Sequence, residues 1–411
     1  MSPILLVCLL LGYLIMSSSC RAATVTVPLI KDAFAIYCHI GVGTPAQSIA
    51  PQVDTGSPDL WVPLPDCPCA DSENAKYDPT KSATVSVSEQ GYVPFELDYG
   101  GEGVRGNPVN DTVRIGGMSL VNQSFAGVLD IVYGDFLTVI LGLSFPVTNG
   151  TFIGGDPLFW NMVNRKLLDI NQFSIWLNPT GSNAVAGEIM FGGVNPARYS
   201  GELNILSTPT SNYWRVNASN IHWGNQTILS KPGSAVFDSG TTGIELTTEQ
   251  WQSLHELAPE LSSPCDLSVL PNISFSLGGK VYPITPSVYV VNPADADPLQ
   301  WPKLGGCHTY IGGPYAGDNT GMIILGLPFF RQYFMTFSYL GTSCSRGNGN
   351  CLGEAEIGIA TPVSQPVAVA PAPMMSQPIA AAPAPRMSQT VAAAPARMAS
   401  AKEARYQRVQ R

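Results

Sequence analysis

Val53-Asp54-Thr55-Gly56-Ser57-Pro58-Asp59-Leu60-Trp61-Val62-Pro63 is the stretch on which the reading of this chain turns. An apolar approach ends in a carboxylate, a small hydroxyl and a glycine, and a Trp-bearing apolar strand then resumes. A near echo stands far downstream as Ala235-Val236-Phe237-Asp238-Ser239-Gly240-Thr241-Thr242. Each copy is followed by an apolar segment with a central glycine, Val139-Ile140-Leu141-Gly142-Leu143-Ser144-Phe145 and Ile323-Ile324-Leu325-Gly326-Leu327-Pro328-Phe329. Gly142 follows Asp54 by 88 residues, and Gly326 follows Asp238 by 88. A single Asp-Thr-Gly is usually a plain turn. Two copies with the same partner at the same offset imply two related lobes, each supplying one carboxylate.

Two such carboxylates at the tips of loops that leave apolar strands sit in poorly hydrated places. Brought together, they cannot both ionise easily, so one pKa rises and the pair shares a proton. One member can then take a proton from water while the other, protonated, polarises a carbonyl. Gly56 and Gly240 allow a backbone approach that a Cβ would hinder. Thr55 and Ser239 can bond backbone across the pair, and Ser57 and Thr241 can donate to the outer carboxylate oxygens.

Outward from this pattern, 411 residues with 45% apolar residues suffice for two sizeable cores. Only 12% are charged, while glycines number 40 and prolines 35, which favours a turn-rich β protein. The net charge of −9 argues against nucleic-acid binding and suits work at low pH. Ile4 to Met16 is an apolar run too short to span a bilayer comfortably, and small residues follow to Ala23. Residues 1–23 therefore read as a secretory signal cleaved near Ala22 or Ala23, with an uncleaved anchor as the alternative. Sequons begin at Asn110, Asn122, Asn149, Asn217, Asn225 and Asn272, which fits secretion. The scattered histidines His39, His222, His255 and His308 make no metal-binding spacing, and no cofactor motif is found.

These features together resemble the pepsin family of aspartic proteases, from about Ile36 to Ala360. Tyr37 to Gln47 (YCHIGVGTPAQ) resembles the first strand and turn of that family. Phe95 to Val113 (FELDYGGEGVRGNPVNDTV) resembles its flap hairpin, with Tyr99 at the flap-tyrosine position. Asp169 to Leu177 and Gly187 to Gly193 resemble the approach to the lobe junction, and Leu325 to Phe334 (LGLPFFRQYF) a late motif. The resemblance implies an all-β, bilobal fold with a central cleft: an N-terminal lobe with flap over 24–198 and a C-terminal lobe over 199–360. It makes Asp54 and Asp238 the catalytic pair of an endopeptidase, with Thr55, Gly56, Ser57, Ser239, Gly240 and Thr241 in support. Tyr99, Gly100 and Gly101 would close over an extended polypeptide substrate, with Trp61 behind Tyr99.

Departures from the family pattern are visible too. The flap reads Tyr99-Gly100-Gly101-Glu102-Gly103, without the usual threonine, so Glu102 is either a solvated charge or a selector of basic side chains. Only Thr24 to Ile36 separates the signal from the first strand, and the basic part of a pro-segment is missing. Cys265 and Cys307 bracket the family's second-lobe disulfide, and Cys344 and Cys351 flank a hairpin loop suited to a bridge. Cys67 and Cys69 stand at a small first-lobe disulfide, but a Cys-x-Cys bridge is strained, which leaves Cys38 as a rival partner.

Asp156 to Lys166 and Thr247 to Leu257 carry helical periodicity, the second with a threonine cap. Residues 361–411 are a Pro/Ala-rich, repetitive tail without a core pattern, with six Lys or Arg against one Glu. Such a tail is a plain solubilising segment or a contact for anionic surface polymers. No apolar run closes the sequence, so no integral segment or lipid anchor is expected after signal removal. The expected protein is a monomeric secreted aspartic endopeptidase, extracellular by first expectation, with vacuole or lysosome as alternatives. A pepsin-fold binding protein or inhibitor with weak or no catalysis is the rival reading.

Overall fold

The computed structural model describes residues 23–31, 34–69, 76–86, 94–99, 103–134, 138–146, 155–179, 186–210, 212–228, 233–258, 266–291, 308–314, 321–345 and 350–364. Asn149, Gly100, Gly101, Glu102, Cys265 and Cys307 lie outside them, as do the signal up to residue 22 and the tail from residue 365.

The described chain is built mostly of strands, in one fifteen-stranded and one eight-stranded sheet with two small ribbons. Alternation does the local work. Val25–Lys31 buries Val25, Val27 and Leu29 and turns the residues between them outward. Ile273–Leu277, an inner strand of the second sheet, is buried throughout. The expected helices form as Leu158–Asn164 and Thr248–Leu257. The second is closed by a capping box: Gln250 N–H donates to Thr247 Oγ1, and Gln250 Oε1 accepts from Thr247 N–H.

The large sheet joins both halves of the chain. Tyr199–Thr208, Ala355–Pro362 and Phe334–Tyr339 continue through Gln172–Leu177 and Gly187–Phe191 to Val25–Lys31. The first half then carries the order onward through Ile36–Cys38 to Gln52–Asp54 and Ile140–Gly142. Residues at both ends of the expected lobes join the shared structure. Ala23, assigned to the signal, donates its N–H to Leu167 O at 2.9 Å. Thr361 and Pro362, assigned to the tail, pair with Ser200 and Tyr199.

An aromatic cluster fills the space against this sheet. Phe173 stacks on Phe337 at 4.8 Å, Phe145 lies 4.4 Å from Trp214, and Trp160 stacks on Trp214 at 6.3 Å. The two indoles also hold a loop. Trp214 Nε1 donates to Leu143 O at 3.0 Å, and Trp160 Nε1 donates to Ser144 O at 2.6 Å. Buried indole N–H groups need such partners, and these partners are the residues just after Gly142.

Cys344 and Cys351 face each other across the hairpin of Ser343–Ser345 and Asn350–Leu352 and are disulfide-bonded. Cys67 is bonded to Cys69, which settles the alternative left by the sequence, and Cys38 is a buried free thiol. The short spacing is bridged because the Cα atoms stand 5.2 Å apart, within the usual disulfide range.

Glu188 lies on Gly187–Phe191, an inner strand of the shared sheet. Its carboxylate accepts from Arg198 at 2.6 Å and from Asn195 Nδ2 at 2.9 Å, and the Arg198 guanidinium lies 4.2 Å over the Trp176 ring. Both charged groups are largely buried, so removing one strands the other. Glu188→Ala is expected to lower unfolding free energy by about 3 kcal/mol in urea denaturation. A loss no larger than that of an exposed Glu→Ala control would show that the pair carries no such weight.

Candidate active site

Each carboxylate lies where a strand ends. Gln52–Asp54 runs parallel to Ile140–Gly142 in the register Gln52–Ile140, Val53–Leu141 and Asp54–Gly142. Gly233–Phe237 runs parallel to Ile323–Leu325 with Ala235 opposite Ile323 and Phe237 opposite Leu325. The constant offset of 88 residues in the sequence is thus the register of two equivalent parallel pairs. Leu143 N–H donates to Asp54 O at 2.7 Å, and Asp238 N–H donates to Leu325 O at 3.1 Å.

The two loops are tied across the pseudo-twofold by crossed hydrogen bonds. Thr55 N–H donates to Ser239 Oγ at 3.1 Å, and Ser239 N–H donates to Thr55 Oγ1 at 2.9 Å. Thr55 Oγ1 donates onward to Phe237 O at 2.8 Å, and Ser239 Oγ to Val53 O at 2.7 Å. Thr55 and Ser239 are fully buried, so these donors and acceptors have no water to fall back on. Gln52 adds a further tie, its Nε2 donating to Gly240 O at 2.7 Å.

The carboxylates have matching partners. Asp54 Oδ1 accepts from Gly56 N–H at 2.7 Å, and Oδ2 accepts from Ser57 Oγ. Asp238 Oδ1 accepts from Gly240 N–H at 2.8 Å, and Oδ2 accepts from Thr241 Oγ1 at 2.7 Å. The glycines explain how close the two halves come. A Cβ on Gly56 would meet Asp238 Oδ1 at 2.5 Å, and one on Gly240 would meet Asp54 Cγ at 2.6 Å. Each backbone therefore passes directly against the opposite carboxylate. Burial first, and the Asp238 charge second, hold the Asp54 carboxyl well above the usual carboxylate range, against the downward pull of Ser57 and Gly56.

The eight residues expected at the carboxylate pair are thus brought together. Trp61 is buried in the Leu60–Pro63 strand, and half-buried Tyr99, which follows the Phe95–Asp98 strand, packs against the same core. Among the sequon asparagines, Asn122, Asn217, Asn225 and Asn272 are exposed, while Asn110 is half-buried and its Oδ1 accepts from Ser124. Sequence reasoning missed Gln52, Trp160, Trp214 and Ser144. Gln52 left one usable sign, a polar residue in an apolar approach. Ser144 Oγ donates to Asn212 O at 2.6 Å, a contact that no local pattern announces.

The crossed bonds yield a test. Thr55→Ala leaves buried Ser239 N–H and Phe237 O without their partner, at a cost of about 1–3 kcal/mol in thermal or urea unfolding. Thr55→Ser is expected to recover most of it. Equal losses for the two variants would mean that the methyl, not the hydroxyl, matters.

Residues 35–345 match the family model of the eukaryotic aspartyl protease. Pepsin A of Callithrix jacchus is 31% identical over 316 residues, covering 72% of this chain and 76% of that protein. Pepsin A of Bos taurus is 30% identical over 335 residues, covering 77% and 83%. Cathepsin D of Gallus gallus is 32% identical over 270 residues, covering 62% and 67%. The chain belongs to the eukaryotic aspartyl protease family and is an aspartic-type endopeptidase.

Proposed function

We propose that Asp54 and Asp238 are its catalytic pair and that they hydrolyse peptide bonds in polypeptides through a water molecule activated between them. The observation that carries this is the mutual approach of the two loops, each glycine lying against the opposite carboxylate. Such a pair titrates as one unit that keeps a proton into weakly acidic conditions. One carboxylate takes a proton from the attacking water. The protonated partner donates to the substrate carbonyl oxygen, where charge develops. The tetrahedral species collapses as the leaving nitrogen is protonated, without a covalent bond to the enzyme. Ser57 and Thr241 fix the orientation of the outer carboxylate oxygens, and Tyr99 covers the extended chain.

The setting is read as the secretory pathway, with the extracellular space first. Disulfides at Cys67–Cys69 and Cys344–Cys351 suit an oxidising compartment, and four sequon asparagines are open to modification. No helix among the described residues is long and apolar enough to cross a membrane. Because one chain supplies both carboxylates, a monomer suffices. The basic tail is assigned to anionic surface polymers, which predicts retention on such polymers that is lost when residues 361–411 are deleted.

Hydrolysis of a denatured protein from about pH 3 to 7 is expected to be acid-favoured. Asp54→Asn and Asp238→Asn should each lower kcat/KM by at least about a hundredfold. A folded wild type that cleaves nothing at any pH would shift the assignment to a binding protein.

The raised Asp54 pKa also fixes a sign. As pH rises above the ordinary carboxylate range, the unfolded chain loses this proton first and the folded chain keeps it. Stability therefore falls with pH through the window between the two pKa values, and Asp54→Asn should flatten that slope in calorimetric Tm measurements. Parallel slopes for the two proteins would exclude Asp54 as the source.

A further inference from the structure

A groove of about 970 Å³ opens on the second sheet, lined among others by Tyr213, Arg215, Asn217, Ser234, Gly278 and Met322. In the antiparallel pairing, Arg215 stands opposite Val236 and Asn217 opposite Ser234. Opposed residues share a face, and side chains alternate along a strand. Ser234 lines the groove, buried Val236 lies on the same side of the strand, and continuing the alternation one step past Phe237 puts Asp238 on that side as well. At about 3.3 Å per residue, Arg215 stands roughly 7 Å along the strands from the level of Asp238. The near end of the groove touches the first loop. Asn212, another lining residue, accepts from Ser144 Oγ at 2.6 Å, and Ser144 N–H donates to Ser57 O at 2.9 Å.

Arg215 is half-buried, and among the described residues no ion pair or hydrogen bond engages its guanidinium. A permanently charged planar cation with open donors, in a groove whose near end is hydrogen-bonded to the Asp54 loop through Ser144, matches a carboxylate. We propose that this groove receives one end of the polypeptide substrate and that Arg215 selects a carboxylate there, making it a specificity-determining residue. The inference rests on the protease reading of Asp54 and Asp238. The carboxylate is either an Asp or Glu side chain or the free C-terminus of a short peptide. A glycan on Asn217 would stand in the same groove, because Asn217-Ala218-Ser219 is a sequon.

The test uses the full chain with Ser219→Ala, which removes the sequon and keeps Asn217. Peptides carrying a single Glu or Lys walked along both sides of the cut are compared at about pH 5, where Glu is mostly ionised. Each is made with a free and an amidated C-terminus. At one position the Glu-over-Lys ratio of kcat/KM is expected to be about tenfold, falling to about one in Arg215→Gln and keeping its direction in Arg215→Lys. Preference for the free acid over the amide, lost in the same way, would identify the chain end as the carboxylate. A ratio near one for every pair, or a preference that survives Arg215→Gln, overturns the proposal. Binding of the labelled peptides to the Asp54→Asn protein, read by fluorescence anisotropy, judges the groove separately from turnover. Absent cleavage with Arg215-dependent binding sinks the protease reading and keeps the groove. Cleavage with no charge preference in either assay sinks the groove and keeps the protease.

Discussion

Four hydrogen bonds between Thr55 and Ser239 and the strands behind them hold the two halves of the site at one distance. Everything the carboxylates can do depends on that distance. Further apart, the Asp238 charge would no longer add to the effect of burial on the Asp54 carboxyl. Closer, the backbone of one loop would strike the carboxylate of the other. The bonds are buried and reciprocal, so breaking one leaves two polar groups unsatisfied. The tie is made of short side chains, which have few rotamers to lose on ordering.

The crossed loops are supported from below by elements of both halves. Trp160 and Trp214 reach the same short turn, Leu143 and Ser144, one from the first half of the chain and one from the second. Phe173 and Phe337 stack beneath them on strands that neighbour each other in the shared sheet. The turn that carries the peptide N–H for Asp54 O therefore rests on a core laid down jointly. A lobe taken alone would lose that floor, and the described residues of the two halves form one compact unit although the repeat invites a description as two.

The repeat was legible because it is periodic and local. Asp-Thr-Gly-Ser and Asp-Ser-Gly-Thr could be read directly, and the offset of 88 residues turned out to be strand register. Reading glycines as permission for close approach was also sound, since Gly56 and Gly240 face the opposite carboxylates. The supports were not legible. Trp214, Trp160 and Ser144 act over separations of 71, 16 and 68 residues through single bonds, and such pairings leave no period. The cysteines show the same limit in reverse. Spacing alone disfavoured a bridge from Cys67 to Cys69, but the local turn brings their Cα atoms within bonding reach. The last strand runs to Pro362 because Thr361 and Pro362 pair with Ser200 and Tyr199, a long-range pairing that composition does not announce.

Cys38 gives the molecule a reporter of its own. It lies fully buried between Val25–Lys31 and Gln52–Asp54, facing Leu29, and burial pushes its thiol up to about 12. A thiol so placed is neither exposed nor ionised, and alkylating reagents attack the thiolate. Labelling can proceed only through openings that bring Cys38 to solvent, so its rate reports on the parting of the strands behind Asp54: the open population when reclosing is fast, the opening rate when labelling outpaces it. The breathing of the sheet that carries the first carboxylate is thereby open to measurement without engineering a probe into it.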